Sequence, residues 1–89
     1  MEAVINDYIS RELVQDASLL PLGNTTSLLD TGVLDSLGLL RLVVFAQERF
    51  GITVDDVDLV PENFDTVDAI CAYLRTLEAG KAGHAAGRA

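Results

Sequence analysis

Thiols are almost missing from this sequence. One cysteine, Cys71, stands among 89 residues, so no internal disulfide can form and no thiolate metal cluster is encoded. Histidine is equally scarce: His84 is the only one, close to the C-terminus. A serine nucleophile needs a base within hydrogen-bond reach, and this chain offers it neither a nearby histidine nor a Ser-x-x-Lys pattern, since position 39 is leucine. A phosphate-binding glycine loop is also missing, and Asp55, Asp56 and Asp58 lack the glycine and later glutamate of a calcium loop. An enzyme is therefore not expected, and neither a catalytic nor a metal-ligating residue is assigned. Positive charge is short as well, with 6 Lys and Arg against 14 Asp and Glu. Lys81 and Arg88 fall in the last eleven residues, which leaves the first 78 with 4 positive and 14 negative charges. Such a surface repels phosphate backbones, so no nucleic-acid partner is expected. Long apolar runs are absent too: nothing approaches the ~20 residues of a membrane span. The first fourteen residues carry Glu2, Asp7, Arg11 and Glu12 where a signal peptide would be apolar. The expected location is the cytoplasm, without a membrane partner.

What is present is helical periodicity in a chain of one-domain size. Ile5, Tyr8, Ile9 and Leu13 fall at helical spacing within 3–16. The connection from Ala17 to Leu34 is broken by Pro21, Gly23 and Asn24 but holds seven Leu and Val residues. It is expected to fold back and bury several of them, because long structureless loops are uncommon. Residues 36–50 read as a second helix stopped by Gly51. Residues 55–60 read as a short third one ended by Pro61, and 66–78 as a fourth capped by Asp65 or Thr66. The fold class is all-α, a four-helix bundle of three longer helices and one short third helix, with a long structured loop between the first two. Ile5, Ile9, Leu13, Leu28, Leu42, Val43, Phe50, Val54, Val67, Ile70 and Leu74 are its expected core. Cys71, on the apolar stripe of the last helix, reads as a buried small hydrophobe. The domain spans 1–78, and the Gly/Ala-rich residues 79–89 are expected to be disordered.

Ser36 is the residue with chemical promise. It opens the second helix in the run Leu34-Asp35-Ser36-Leu37. Serine and aspartate are also ordinary caps, so the pair alone says little. A phosphodiester on Ser36 would nevertheless lie beside the free N–H groups and positive dipole end of the helix. The second helix has more apolar residues than one buried stripe needs. Leu39, Leu42, Val43, Ala46 and Phe50 are assigned to the core, which leaves Leu37, Leu40 and Val44 as a second strip flanked by Arg41, Gln47 and Glu48.

These residues together carry a resemblance. The run from Leu29 to Leu37, the apolar helix closing in Glu48-Arg49-Phe50-Gly51-Ile52, the segment Val54 to Leu59 and the last helix from Thr66 to Leu74 resemble the acyl carrier protein family, over about residues 3–77. The resemblance implies a 4'-phosphopantetheine arm, transferred from coenzyme A to Ser36 by a phosphopantetheinyl transferase, whose terminal thiol carries acyl groups as thioesters. The apolar strip beside Ser36 then reads as a docking surface for partners, made by Asp35, Leu37, Leu40, Arg41, Val44, Gln47 and Glu48. An acyl- or amino-acid-loading enzyme and an acyltransferase or ketosynthase are the other expected partners, served by a stand-alone monomer. Carriers of fatty-acid synthesis have a strongly acidic second helix, whereas residues 36–50 here hold Arg41, Glu48 and Arg49. That departure, with the run at 59–67, resembles discrete carriers of polyketide and nonribosomal peptide pathways, with amino-acid or short polar acyl cargo. The alternatives are a fatty-acid carrier and, in a different class, an unmodified acidic helical interaction module.

Overall fold

The computed structural model describes residues 1–87, with side chains as far as residue 80. Helix α1, Glu2–Tyr8, continues as a wider π-helical turn over Ile9–Leu13, closed by a hydrogen bond from Val14 N to Ile9 O at 2.9 Å. Ile5, Ile9 and Leu13, spaced four apart, all point inward and are buried. The helix stops at Leu13, short of the expected 16. Val14 is extended, and the Asp16 carboxylate accepts from Ser18 N to start a separate 3₁₀ turn, Ala17–Leu19.

The long connection behaves as its leucines suggest. Leu22, Leu28, Val33 and Leu34 are buried, while Leu20 and Leu29 remain exposed. It is tied down at two places. The Asn6 side-chain amide donates to Leu22 O and to Asn24 Oδ1, both at 2.8 Å. Ser27 Oγ donates to Asp65 Oδ1 at 2.7 Å, and Leu28 N donates to Asp65 O at 2.6 Å. Gly32 takes a positive φ of 75°, a turn before the next helix at which a side chain would be strained.

Helix α2, Ser36–Phe50, matches its expected bounds, and Gly51 closes it in the left-handed conformation with its N–H on Gln47 O at 2.9 Å. Its buried residues are Gly38, Leu42 and Ala46. At ~100° per residue this face is rotated by about 55° from the one assigned from the sequence. Val43 and Phe50 are consequently half-buried, which corrects their place in the expected core. The rotation turns Phe45 toward α1, where its ring stacks on Tyr8 with centroids 4.1 Å apart.

The third helix lies further along than the sequence suggests. Asp56–Asp58 forms a single 3₁₀ turn, capped by Asp55 through Val57 N, and α3 is Pro61–Phe64. Pro61 was expected to end a helix and instead begins one. At the first helical position its missing N–H has no intrahelical role and its fixed φ is already helical. This shift carries Phe64 into the core beside Ile52 and Val54.

Helix α4, Val67–Gly87, is capped by Thr66 Oγ1, which accepts from Ala69 N at 3.0 Å. It buries Val67, Ile70, Cys71 and Leu74, packs against α1 and is joined to it at the surface by the Arg75–Glu2 ion pair. The helix continues beyond its expected end near 78, to Gly87. The expected disorder of 79–89 falls largely outside the described side chains, as does His84. Among the described residues no helix is long and apolar enough to cross a membrane.

Candidate functional site

The start of α2 is built by a division of labour between two adjacent residues. Asp35 is the cap: it is extended, and its Oδ1 accepts from Gly38 N at 2.7 Å. Leu39 N then makes the first helical bond to Asp35 O at 2.8 Å. Ser36 is therefore the first full helical residue, exposed, with its hydroxyl not needed to close the helix end. The amides of Ser36 and Leu37 lie in the first turn, where no intrahelical acceptor exists. Together with the positive helix end they suit an anion on Ser36.

The chain has four serines, and the other three have committed hydroxyls. Ser10 Oγ donates to Asn6 Oδ1 at 3.0 Å, Ser18 Oγ to Asp16 Oδ1 at 2.7 Å and Ser27 Oγ to Asp65 Oδ1 at 2.7 Å. Among the described residues, Ser36 is the serine whose hydroxyl is left uncommitted.

Gly38 supports this arrangement and was not singled out from the sequence. It is buried, and a Cβ there would stand 3.1 Å from Asp35 Oδ1 and 3.6 Å from Val33 O, so a side chain would press on the cap. The signal was present: a glycine inside the first turn of a helix costs stability relative to alanine and calls for a packing reason. Phe64 and Val60 were also missed. With Leu29, Leu34 and Leu39 they wall an apolar depression of about 260 Å³, with Ser36 at its rim. The depression lies within immediate reach of the Ser36 hydroxyl.

On the outer face of α2 the expected strip is exposed: Leu37 is 67 % accessible, Leu40 55 % and Val44 51 %. Asp35 and Glu48 are exposed beside it. Arg41 reaches across to α1, with Nη2 3.5 Å from Glu12 Oε1. Gln47 is engaged elsewhere: its Oε1 accepts from Val54 N at 2.9 Å, clipping the segment after α2 to the helix.

The buried Cys71 and the half-buried Tyr73 both have raised pKa values. Burial pushes the Cys71 thiol up to about 11, with the Glu2 charge adding to the effect. Burial, and the hydrogen bond its hydroxyl donates to Asp58 Oδ2 at 2.7 Å, push the Tyr73 phenol up to about 12. Both folded values exceed the unfolded ones, so the neutral form is favoured by folding. The associated stability is complete below about pH 9 and is lost as pH rises from there toward 12. We expect Cys71 to resist an alkylating reagent at pH 8 in the native protein and to react once urea unfolds it. We also expect the urea midpoint to be flat up to about pH 9 and to decline above it. Rapid native alkylation would show that the thiol is accessible.

The family described as phosphopantetheine attachment site matches residues 8–74. The fold is similar to a chain of a solved structure described as "Crystal structure of FAD-dependent dehydrogenase". The TM-score is 0.73 and the identity 28 %, over 80 % of the present chain and 99 % of that one. No curated protein matches the sequence.

Proposed function

Because the chain belongs to the phosphopantetheine-attachment family, and so is a carrier of that prosthetic group, we propose that Ser36 is the residue that bears the arm. The observation that carries this reading is the uncommitted, exposed hydroxyl of Ser36 beside a helix end already capped by Asp35. The transferase needs a hydroxyl it can reach and a place for the phosphodiester that forms. The first turn of α2 offers both. The arm supplies the reactive thiol, on which cargo is held as a thioester. The protein contributes the tether, which raises the local concentration of cargo at each partner enzyme.

Within that family we read the chain as a discrete carrier of polyketide or nonribosomal peptide assembly, bearing an amino acid or a short polar acyl unit. The charge on α2 supports this: Arg41 and Arg49 against Glu48, where a fatty-acid carrier would present acids. The exposed Leu37, Leu40 and Val44 then dominate docking, with little charge steering. The similar chain belongs to a structure described as that of an FAD-dependent dehydrogenase. A flavin enzyme that takes a hydride and a proton from the tethered unit is thus a candidate partner, beside the loading enzyme and an acyltransferase or ketosynthase.

Incubation with coenzyme A and a broad-specificity phosphopantetheinyl transferase should add the mass of one phosphopantetheine group. No gain, under conditions where a control carrier is converted, would make the unmodified interaction module the better reading. The holo protein should then accept an aminoacyl or short polar acyl unit from an activating enzyme. Efficient loading and elongation by fatty-acid enzymes alone would remove the specialised assignment.

A further inference from the structure

Between α1 and the outer face of α2 runs an open groove of about 640 Å³. The stacked rings of Tyr8 and Phe45 form its floor, and Leu40 and Val44 form its exposed apolar edge. It continues the strip that begins at Leu37, next to Ser36. From Leu37 to Arg49 the helix rises about 18 Å, the length of roughly three helical turns.

The charges around it are distinctive for a chain with a net charge of −8. Four arginines lie among the residues with described side chains. Arg11 pairs with Asp7 at 3.1 Å, Arg41 with Glu12 at 3.5 Å, and Arg75 with Glu2. Arg49 makes no ion pair among the described residues. Its guanidinium lies 5.4 Å from the Phe50 ring centroid, at the end of the groove remote from Ser36. Among the described residues, an acidic protein thus presents an arginine free of ion pairs at one place, and that place ends an apolar groove.

We propose that this groove seats a partner helix of about three turns. Its apolar stripe meets Leu40, Val44 and the two rings, and an acidic side chain at one end meets Arg49. Apolar anchors at i, i+3, i+4 and i+7 would give the contact its energy, while the acid sets its direction. The charge sense is opposite to what net charge suggests, since an acidic chain would be expected to select basic partners. The inference rests on the carrier reading only in taking the partner to be an enzyme that works on the arm.

The test uses the full chain in its apo form, so its outcome is independent of whether Ser36 accepts the arm. Two stapled peptides of about three turns share one leucine stripe, one flanked by glutamates and the other by lysines. Each is titrated into isotope-labelled protein and followed by backbone amide shifts. The glutamate peptide should shift Tyr8, Leu40, Val44 and Phe45 and bind about fivefold tighter than the lysine peptide, the size of one exposed ion pair. Arg49→Glu should reverse that preference. Val44→Asp should abolish binding of both peptides with an unchanged circular dichroism spectrum. A lysine peptide that binds as well or better, shifts centred on Asp55–Asp58 instead, or no binding by either peptide would overturn the proposal.

Discussion

Ser36→Ala is expected to abolish the phosphopantetheine mass gain completely while leaving the urea unfolding midpoint almost unchanged. The two halves of this result come from the two roles at the start of α2. Asp35 holds the helix end through Gly38 N, so removing the Ser36 hydroxyl takes no hydrogen bond from the fold. Alanine is a good helix former in the first turn, and surface substitutions away from special features change stability by less than about 0.5 kcal/mol. Modification, by contrast, has no substitute hydroxyl among the serines, because Ser10, Ser18 and Ser27 already donate to Asn6, Asp16 and Asp65. Intact mass after transferase treatment, with denaturant melts of both proteins, checks both halves. A mass gain that persists in the variant would move the attachment point away from Ser36. A large loss of stability would show that the hydroxyl has a structural role.

The second large effect falls on the fold. Phe64→Ala should cost roughly 3–5 kcal/mol, the usual range for emptying a buried phenyl site. In a domain of this size that is on the order of a third or more of the total stability. Phe64 is 2 % exposed and meets the Tyr73 ring edge-on at 5.6 Å, and its side chain helps form the wall of the depression next to Ser36. Phe50→Ala should cost much less, about 1 kcal/mol, because Phe50 is only half-buried at the end of α2. Urea titrations of the two variants side by side are decisive. Equal losses would mean that α2 is rotated to the phase assigned from the sequence.

That contrast shows how far the sequence could be read. The stripe of Ile5, Ile9 and Leu13 and that of Val67, Ile70 and Leu74 were legible, because a single apolar face on each helix leaves one way to bury it. The start and stop of α2 were legible from Asp35, Ser36 and Gly51. The phase of α2 was not, because apolar residues occupy most of its circumference and several rotations bury a plausible stripe. What decides the rotation is the Tyr8–Phe45 stack and the close approach of Leu13 to Gly38, contacts between residues far apart in the chain. Pro61 failed for a different reason: proline both ends and begins helices, and the choice depends on where Phe64 finds a cavity. At the candidate site, Ser36 and the Leu37–Leu40–Val44 strip could be named from local pattern. The depression walled by Leu29, Leu34, Val60 and Phe64 could not, since three separate segments converge on it.

The bonds from Ser27 and Leu28 to Asp65 carry a mechanical consequence. They anchor the segment that leads into Ser36 to the junction between α3 and α4, almost forty residues away in sequence. A pull on an arm fixed at Ser36 would therefore be shared with the α3–α4 junction through these bonds. Cutting the Asp65 brace would turn that mount into a more compliant pivot.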